Sequence, residues 1–239
     1  MQLNGKDVSS YGGKKRTIVL GNAELSNGST WIAGSVSPYL EDNQIGFKTL
    51  TITLWMKGSS TSQIEDNISD LLAELVEISE ISDPDLSHKF KGYLKKHSKK
   101  VLIEGRNTIL TLEFSGYEFS DGTIIKTATQ SFTADTGGNL RCPVVLEITP
   151  KASGTLTVSG FTDDPFTISN AVEEQKIVID GLTGEMSAGG ASKAKDIDIW
   201  ELPRLLPGSN MITISTSLDI TIRYEARYMY KIRINMYKE

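Results

Sequence analysis

One cysteine, Cys142, and two histidines, His88 and His97, are all the thiol and imidazole groups that the chain offers. A single cysteine excludes an intrachain disulfide and suits folding in a reducing cytoplasm. No Cys/His cluster has metal-ligand spacing. No G-x-S-x-G, Walker loop or H-E-x-x-H occurs. No apolar run approaches the roughly 20 residues that cross a bilayer, so no membrane insertion is expected. The opening "MQLNGKDVSSYGGKKR" lacks the apolar h-region of a signal peptide. Positive charge is also short, with 25 Lys and Arg against 30 Asp and Glu, a net charge of −5 and a pI near 5.2. That balance argues against nucleic-acid binding driven by a basic surface.

What is present is apolar material: 38% of 239 residues is hydrophobic and 23% charged, which supports real cores. The length suits one or two domains, most naturally two of about 100 to 130 residues. The first sixty residues read as strands, with short β-rich runs over Arg16–Leu25 and Thr30–Tyr39. In "FKTLTITLWMKG" Leu50, Ile52, Leu54 and Met56 alternate with Thr49, Thr51, Thr53 and Trp55, the period of a half-buried strand. The next stretch is helical. Ile64, Ile68, Leu71, Leu72, Leu75 and Val76 make one apolar stripe, Ser62 and Glu65 fit a capping box, and Asp83-Pro84 ends it. The expectation is one strong helix, over 62–81.

The following run, "HKFKGYLKKHSKKVLIEGRN", is rich in lysine. The helix before it carries Glu65, Asp66, Asp70, Glu74, Glu77 and Glu80, so the two segments can offset each other. With Phe90, Tyr93 and Leu94 interleaved, the lysines read as a solvated strand face rather than a nucleic-acid patch. Asn107–Phe119 is another alternating strand, expected to pair with it. Composition then shifts over 120–140, which suggests domains of 1–129 and 130–239. From Pro143 onward short strands alternate with Gly, Pro, Asn and Asp, the pattern of an antiparallel β-sandwich.

Two turn-bearing segments stand out in the second half. In "IDGLTGE", Asp180-Gly181 and Thr183-Gly184 supply residues that tolerate positive φ. In "LPRLLPGSN", Pro207-Gly208 is the central pair of a type II turn. On their residues alone these are sandwich corners.

Their order adds something. Ile179–Glu185, then Leu202–Asn210, then paired strands over Asp219–Tyr228 resemble the C-terminal half of the distal tail protein family of siphophages infecting Gram-positive bacteria. "TADTGGNLRCPVVLEITP" followed by "GTLTVSG" resembles the entry to that half. "NGKDVSSYG", the helix after "TITLWMKG" and "FKGYL" match the N-terminal half more loosely. The Leu86–Arg106 ribbon is more basic than the resemblance leads one to expect, and "MYKIRINMYKE" runs past the usual end.

The resemblance implies a mainly β chain of two β domains. The first is a tube-like β-sandwich or split barrel with one α-helix, and the second is a galectin-like β-sandwich. It implies a structural protein of the virion, made in the bacterial host cytoplasm and placed at the tail tip. There it forms a hexameric ring whose channel continues the tail tube and passes DNA. Its implied partners are the tail tube protein, the tail-associated lysin or fibre, and baseplate or receptor-binding proteins. No enzymatic activity, cofactor or metal is implied.

The second reading is a carbohydrate-binding module for host cell-wall glycans. A galectin-type site uses a histidine, an asparagine and an arginine on neighbouring strands, with a tryptophan. Both histidines precede residue 100, and Trp200 in "DIWELP" is expected to be a core plug. A catalytic reading would need paired carboxylates. Asp163-Asp164 and Asp196/Asp198 come nearest, but their turn contexts point to solvated or capping roles. As cation ligands, two adjacent carboxylates are a weak signal. Cys142, before Pro143 at a strand entry, is expected to be a buried, inert thiol. No residue is therefore assigned a catalytic, cofactor-binding or metal-binding role.

Overall fold

The computed structural model describes residues 1–23, 25–30, 34, 36, 39–103 and 106–229; at 25–30 and 39–44 it describes the backbone alone. The strand expected over Thr30–Tyr39 and the run after Tyr228 fall largely outside these residues. The chain is mainly β, as read from its sequence, and divides into two compact units, Met1–Glu118 together with Met229, and Phe119–Tyr228, so that the second ends before the 130–239 boundary expected. Residues 119–129 belong with the second unit, because Thr123–Thr127 pairs along its length with Leu218–Tyr224.

In the first unit the strands are β1 (Gln2–Leu3), β2 (Lys6–Asp7), β3 (Gly13–Leu20), β4 (Leu25–Thr30), β5 (Tyr39–Ile45), β6 (Lys48–Lys57), β7 (Ser79–Ser82), β8 (Lys89–Ile103) and β9 (Asn107–Phe119). The single α-helix among the described residues is α1 (Thr61–Ala73). One sheet runs β2-β1-β7-β8-β9-β6-β3, and β4 with β5 forms a separate ribbon. The alternation read in the sequence decides which face is covered. Leu50, Ile52 and Leu54 of β6 lie opposite Phe114, Leu112 and Leu110 of β9, and all six are fully buried. Ile64, Ile68, Leu71 and Leu75 complete that core from α1 and the turn after it. The two sheet residues at the far end, Lys48 and Glu118, form a buried ion pair.

The helix is shorter than its apolar stripe suggested. It is capped by Ser60, whose Oγ accepts from the Gln63 amide at 3.2 Å, while Gln63 Oε1 accepts from the Ser59 amide at 2.7 Å. That is a start two residues earlier than Ser62/Glu65, with the N-cap bond of a capping box but with Gln63 reaching back to the residue before the cap. It ends at Ala73, and Val76 is 81% exposed. Residues 79–82 are strand instead. Ser79 and Ile81 are buried in β7, which pairs with β1 and β8. A sheet position that buries Ile81 completely outweighs continuing the helix, whose last turns would be wet.

In the second unit β10 (Thr123–Thr127), β12 (Cys142–Pro150), β15 (Ile177–Asp180), β16 (Met186–Ala188), β17 (Ala191–Ser192), β19 (Arg204–Leu205) and β21 (Leu218–Tyr224) form a seven-stranded sheet. A five-stranded sheet holds β11 (Ser131–Thr136), β13 (Gly154–Ser159), β14 (Phe166–Ala171), β18 (Ile197–Asp198) and β20 (Gly208–Ile214). Val144, Leu146 and Ile148 from the first sheet and Leu156, Val158 and Ile212 from the second join one buried cluster. Two sheets sharing one core make a β-sandwich. A three-residue 3₁₀ turn, Ala194–Asp196, interrupts it.

Candidate functional site

The two punctuated segments meet in space. Asp180 begins a hairpin corner between β15 and β16: its Oδ1 accepts from the amides of Leu182 at 2.7 Å and Thr183 at 3.1 Å. Gly184 takes φ +77°, the positive value the turn requires. Gly181 has a different reason. A Cβ there would stand 2.2 Å from the Pro203 carbonyl oxygen and 2.7 Å from that of Val144, so only glycine lets the corner reach the Leu202–Arg204 segment. Further on, Gly208 at φ +90° fits the second central position of a type II turn.

Sequence reading missed the residue that ties this turn down. Asn210 is buried. Its Oδ1 accepts from the Leu206 amide at 2.9 Å, and its amide group donates to the carbonyls of Leu206 at 2.9 Å and Gly208 at 3.0 Å. An asparagine two residues after a Pro-Gly turn was the available signal.

Between the corners lies a cleft of about 300 Å³, lined by Arg141, Leu182, Leu202, Arg204 and Arg227 among others. Arg204 is held by Glu201 at 2.7 Å and Asp163 at 2.9 Å. Arg141 takes no ion-pair partner among the described residues. The cleft therefore joins a cationic rim to two half-exposed leucines in a chain of net negative charge.

Trp200 is not the core plug that its surroundings suggested. It is 94% exposed, beside Glu201 at this same end. The segment from Ile199 to Pro203 carries no regular structure to turn its side chain inward, and Ile197 and Leu205 fill the adjoining core positions.

The carboxylate pairs do not form. Asp163 serves Arg204, and Asp164 is exposed. Asp196 accepts from Lys193 at 2.7 Å and Asn170 at 2.9 Å, contacts that hold its carboxyl below the usual carboxylate range. Asp198 pairs in the ladder with Thr167. Among the described residues no group of three or more His, Cys, Asp or Glu is placed to hold a metal ion. His88 and His97 belong to the first unit and are not among the residues that line this cleft. Cys142 is buried, and desolvation raises its thiol pKa, so it is a poor nucleophile. Among the described residues no helix is long and apolar enough to cross a membrane.

No protein-family model matches this chain, and no curated protein sequence does. Solved structures match across nearly its whole length. The crystal structure of SPP1 Dit (gp 19.1), described as a paradigm of the hub adsorption apparatus in phages infecting Gram-positive bacteria, aligns with TM-score 0.73 and 12% identity. The alignment covers 94% of this chain and 97% of that one. The phage P2 baseplate in its activated conformation with Ca aligns with TM-score 0.59 and 10% identity, covering 95% and 94%. At such identities the likeness is one of fold. The resemblance carried by the ordered motifs thus extends to the fold of phage hub proteins.

Proposed function

We propose that a chain with this fold is a structural, non-catalytic component of a phage tail tip. In this reading it is a hub that assembles as a hexameric ring and joins the tail tube to the tail-associated lysin or fibre and the baseplate or receptor-binding proteins. It resides in the virion, is made in the bacterial host cytoplasm, and meets DNA only as cargo passing through the channel. The observation that carries the reading is the match to SPP1 Dit over 94% of this chain and 97% of the other, in which both units take part. The division proposed between the units is that the first makes the ring and the second, galectin-like in this reading, faces outward.

Light scattering of the purified chain, alone and with tail tube and tip proteins added, should give a hexamer. A strict monomer under all these conditions at high concentration rejects the proposal.

One observation favours a second reading. Trp200 is exposed and directly precedes Glu201, which pairs with Arg204, and a bare indole next in sequence to a charged group that can bond hydroxyls suits the stacking of a sugar ring. Binding of cell-wall glycans that disappears in Trp200→Ala, with the fold intact, supports it. Equal binding by the variant, or none by either protein, removes it.

A further inference from the structure

The first unit carries two surfaces of opposite charge that a single copy leaves open. One is a groove of about 760 Å³ at the C-terminal end of α1. Asp70, Glu74 and Glu77 give it negative charge, and Lys6 offsets only Glu74, with which it pairs. The carboxylates of Asp70 and Glu77 take no ion-pair partner among the described residues. Val76 and Ile78 line the same groove while 81% and 71% exposed. Apolar side chains this exposed inside a concave site mark a contact surface more than scattered surface residues do.

The other surface is the outer half of β8. Its inner part pairs with β7 only through Gly92; beyond that, among the described residues, no strand covers its outer edge. Val101, Leu102 and Ile103 are 53%, 48% and 54% exposed in succession. A strand on a half-buried sheet hides every second side chain, so three wet apolar residues in a row show that both faces are open here. Lysines guard this edge against indiscriminate pairing. Lys96 and Lys99 are taken by Glu113 and Glu65, whereas Lys95 and Lys100 take no partner among the described residues.

A chain cannot match its own two surfaces. Lys99 bonds Glu65 in the first turns of α1 at 2.6 Å, while the groove lies at its last turn and just beyond. Nine residue steps, from Glu65 in α1 to its C-cap Glu74, span on the order of 13 Å along the axis.

We propose that the occupant of the groove is a second copy of this chain. The Lys95–Ile103 half of β8 docks with Val101–Ile103 against Val76 and Ile78, and Lys95 and Lys100 turn toward Asp70 and Glu77. The charge complementarity selects this occupant: an acidic, apolar groove and a basic, apolar edge on the same unit. Such a contact is heterologous, since the two copies use different surfaces, and it propagates head to tail until it closes into a ring. The inference rests on the ring reading above and names the surfaces that make it.

The test is reciprocal charge reversal in the full chain. One variant is Asp70→Lys with Glu77→Lys; the other is Lys95→Glu with Lys100→Glu. Sedimentation should show each variant associating at least about tenfold more weakly than wild type. An equimolar mixture should recover association, because each variant then meets its complement. Unchanged melting temperatures keep folding out of the comparison. Association of wild type should also weaken as salt rises.

A second measurement uses the buried position of the one native cysteine. Val76→Cys with Leu102→Cys in one chain should form covalent multimers on diamide oxidation, and either substitution alone should not. An oligomer untouched by the reversals and without cross-links overturns this inference and leaves the ring reading standing. A wild-type monomer even with tube and tip proteins present overturns both.

Discussion

The two units differ in where they keep their charge. Among the described residues the first buries Lys48, Asp83 and Glu118, while the second buries only the neutral polar residues Thr136 and Asn210. The second is a sandwich whose two sheets cover one another, and its exposed ion pairs sit at corners such as Glu201–Arg204–Asp163. The first is a sheet with α1 on one face, an edge that β7 covers only in part, and carboxylates and lysines left over on separate surfaces. A long uncovered edge strand such as β8 invites completion by another chain, whereas the sheets of the second unit end on strands of only two to six residues. Buried charge adds specificity at a desolvation cost, so the first unit should be the more sensitive to change.

The sharpest way to break this contrast is Lys48→Met. Leaving Glu118 buried and unpaired should cost about 3–5 kcal/mol and lower the melting transition of the first unit alone. Adding Glu118→Leu should return most of that stability. A single variant with an unchanged calorimetric trace would show that the pair is not desolvated in solution.

Leu71→Ala should come next, at about 2–5 kcal/mol, because Leu71 is fully buried under α1. Denaturant titration followed by helix circular dichroism reads it. Val76→Ala, three residues past the helix end, should leave stability within about 0.5 kcal/mol.

In the second unit the comparable polar change is smaller. Asn210→Ala should cost about 1–3 kcal/mol, since it leaves the turn amide of Leu206 without its acceptor. It should loosen the Pro207-Gly208 corner, read as faster hydrogen exchange at Leu206.

The smallest effect is at alkaline pH. Asp83 and then Asp85 raise the pKa of Lys15 in the first unit; Asp219 and then Glu174 raise that of Lys151 in the second. A raised lysine gives stability that is complete below its unfolded value, near 10.4, and is lost as pH rises through the folded value. Both transitions should therefore fall above about pH 10.4. The first should fall further, because Lys15 is 25% exposed against 40% for Lys151. Equal shifts would remove this part of the contrast.

Much of this was legible beforehand, and residue by residue the reason is plain. The alternation of Leu50, Ile52, Leu54 and Met56 could only be a strand covered on one side, and it is. Cys142 was read as buried and is. The failures occur where two local patterns compete. Residues 74–82 carry both a helical stripe and a strand alternation. The winner was chosen by Leu3, which lies opposite Ile81 in the ladder and is remote in sequence. Trp200 failed for the opposite reason: a large apolar side chain is usually inside, but no sheet position was available to it.

The sequence by itself determined the mainly β composition, the α1 stripe, the corners at Gly184 and Pro207-Gly208, and the poverty of catalytic residue types. Each follows from local chemistry: period, φ preference, or a residue simply not being there. Only the tertiary structure decided that Gly181 is needed for the approach of Pro203, that Trp200 faces water, and that an acidic groove and a basic edge stay apart. Those depend on which distant segments meet, and the free energy that settles it is shared among contacts far apart in the chain.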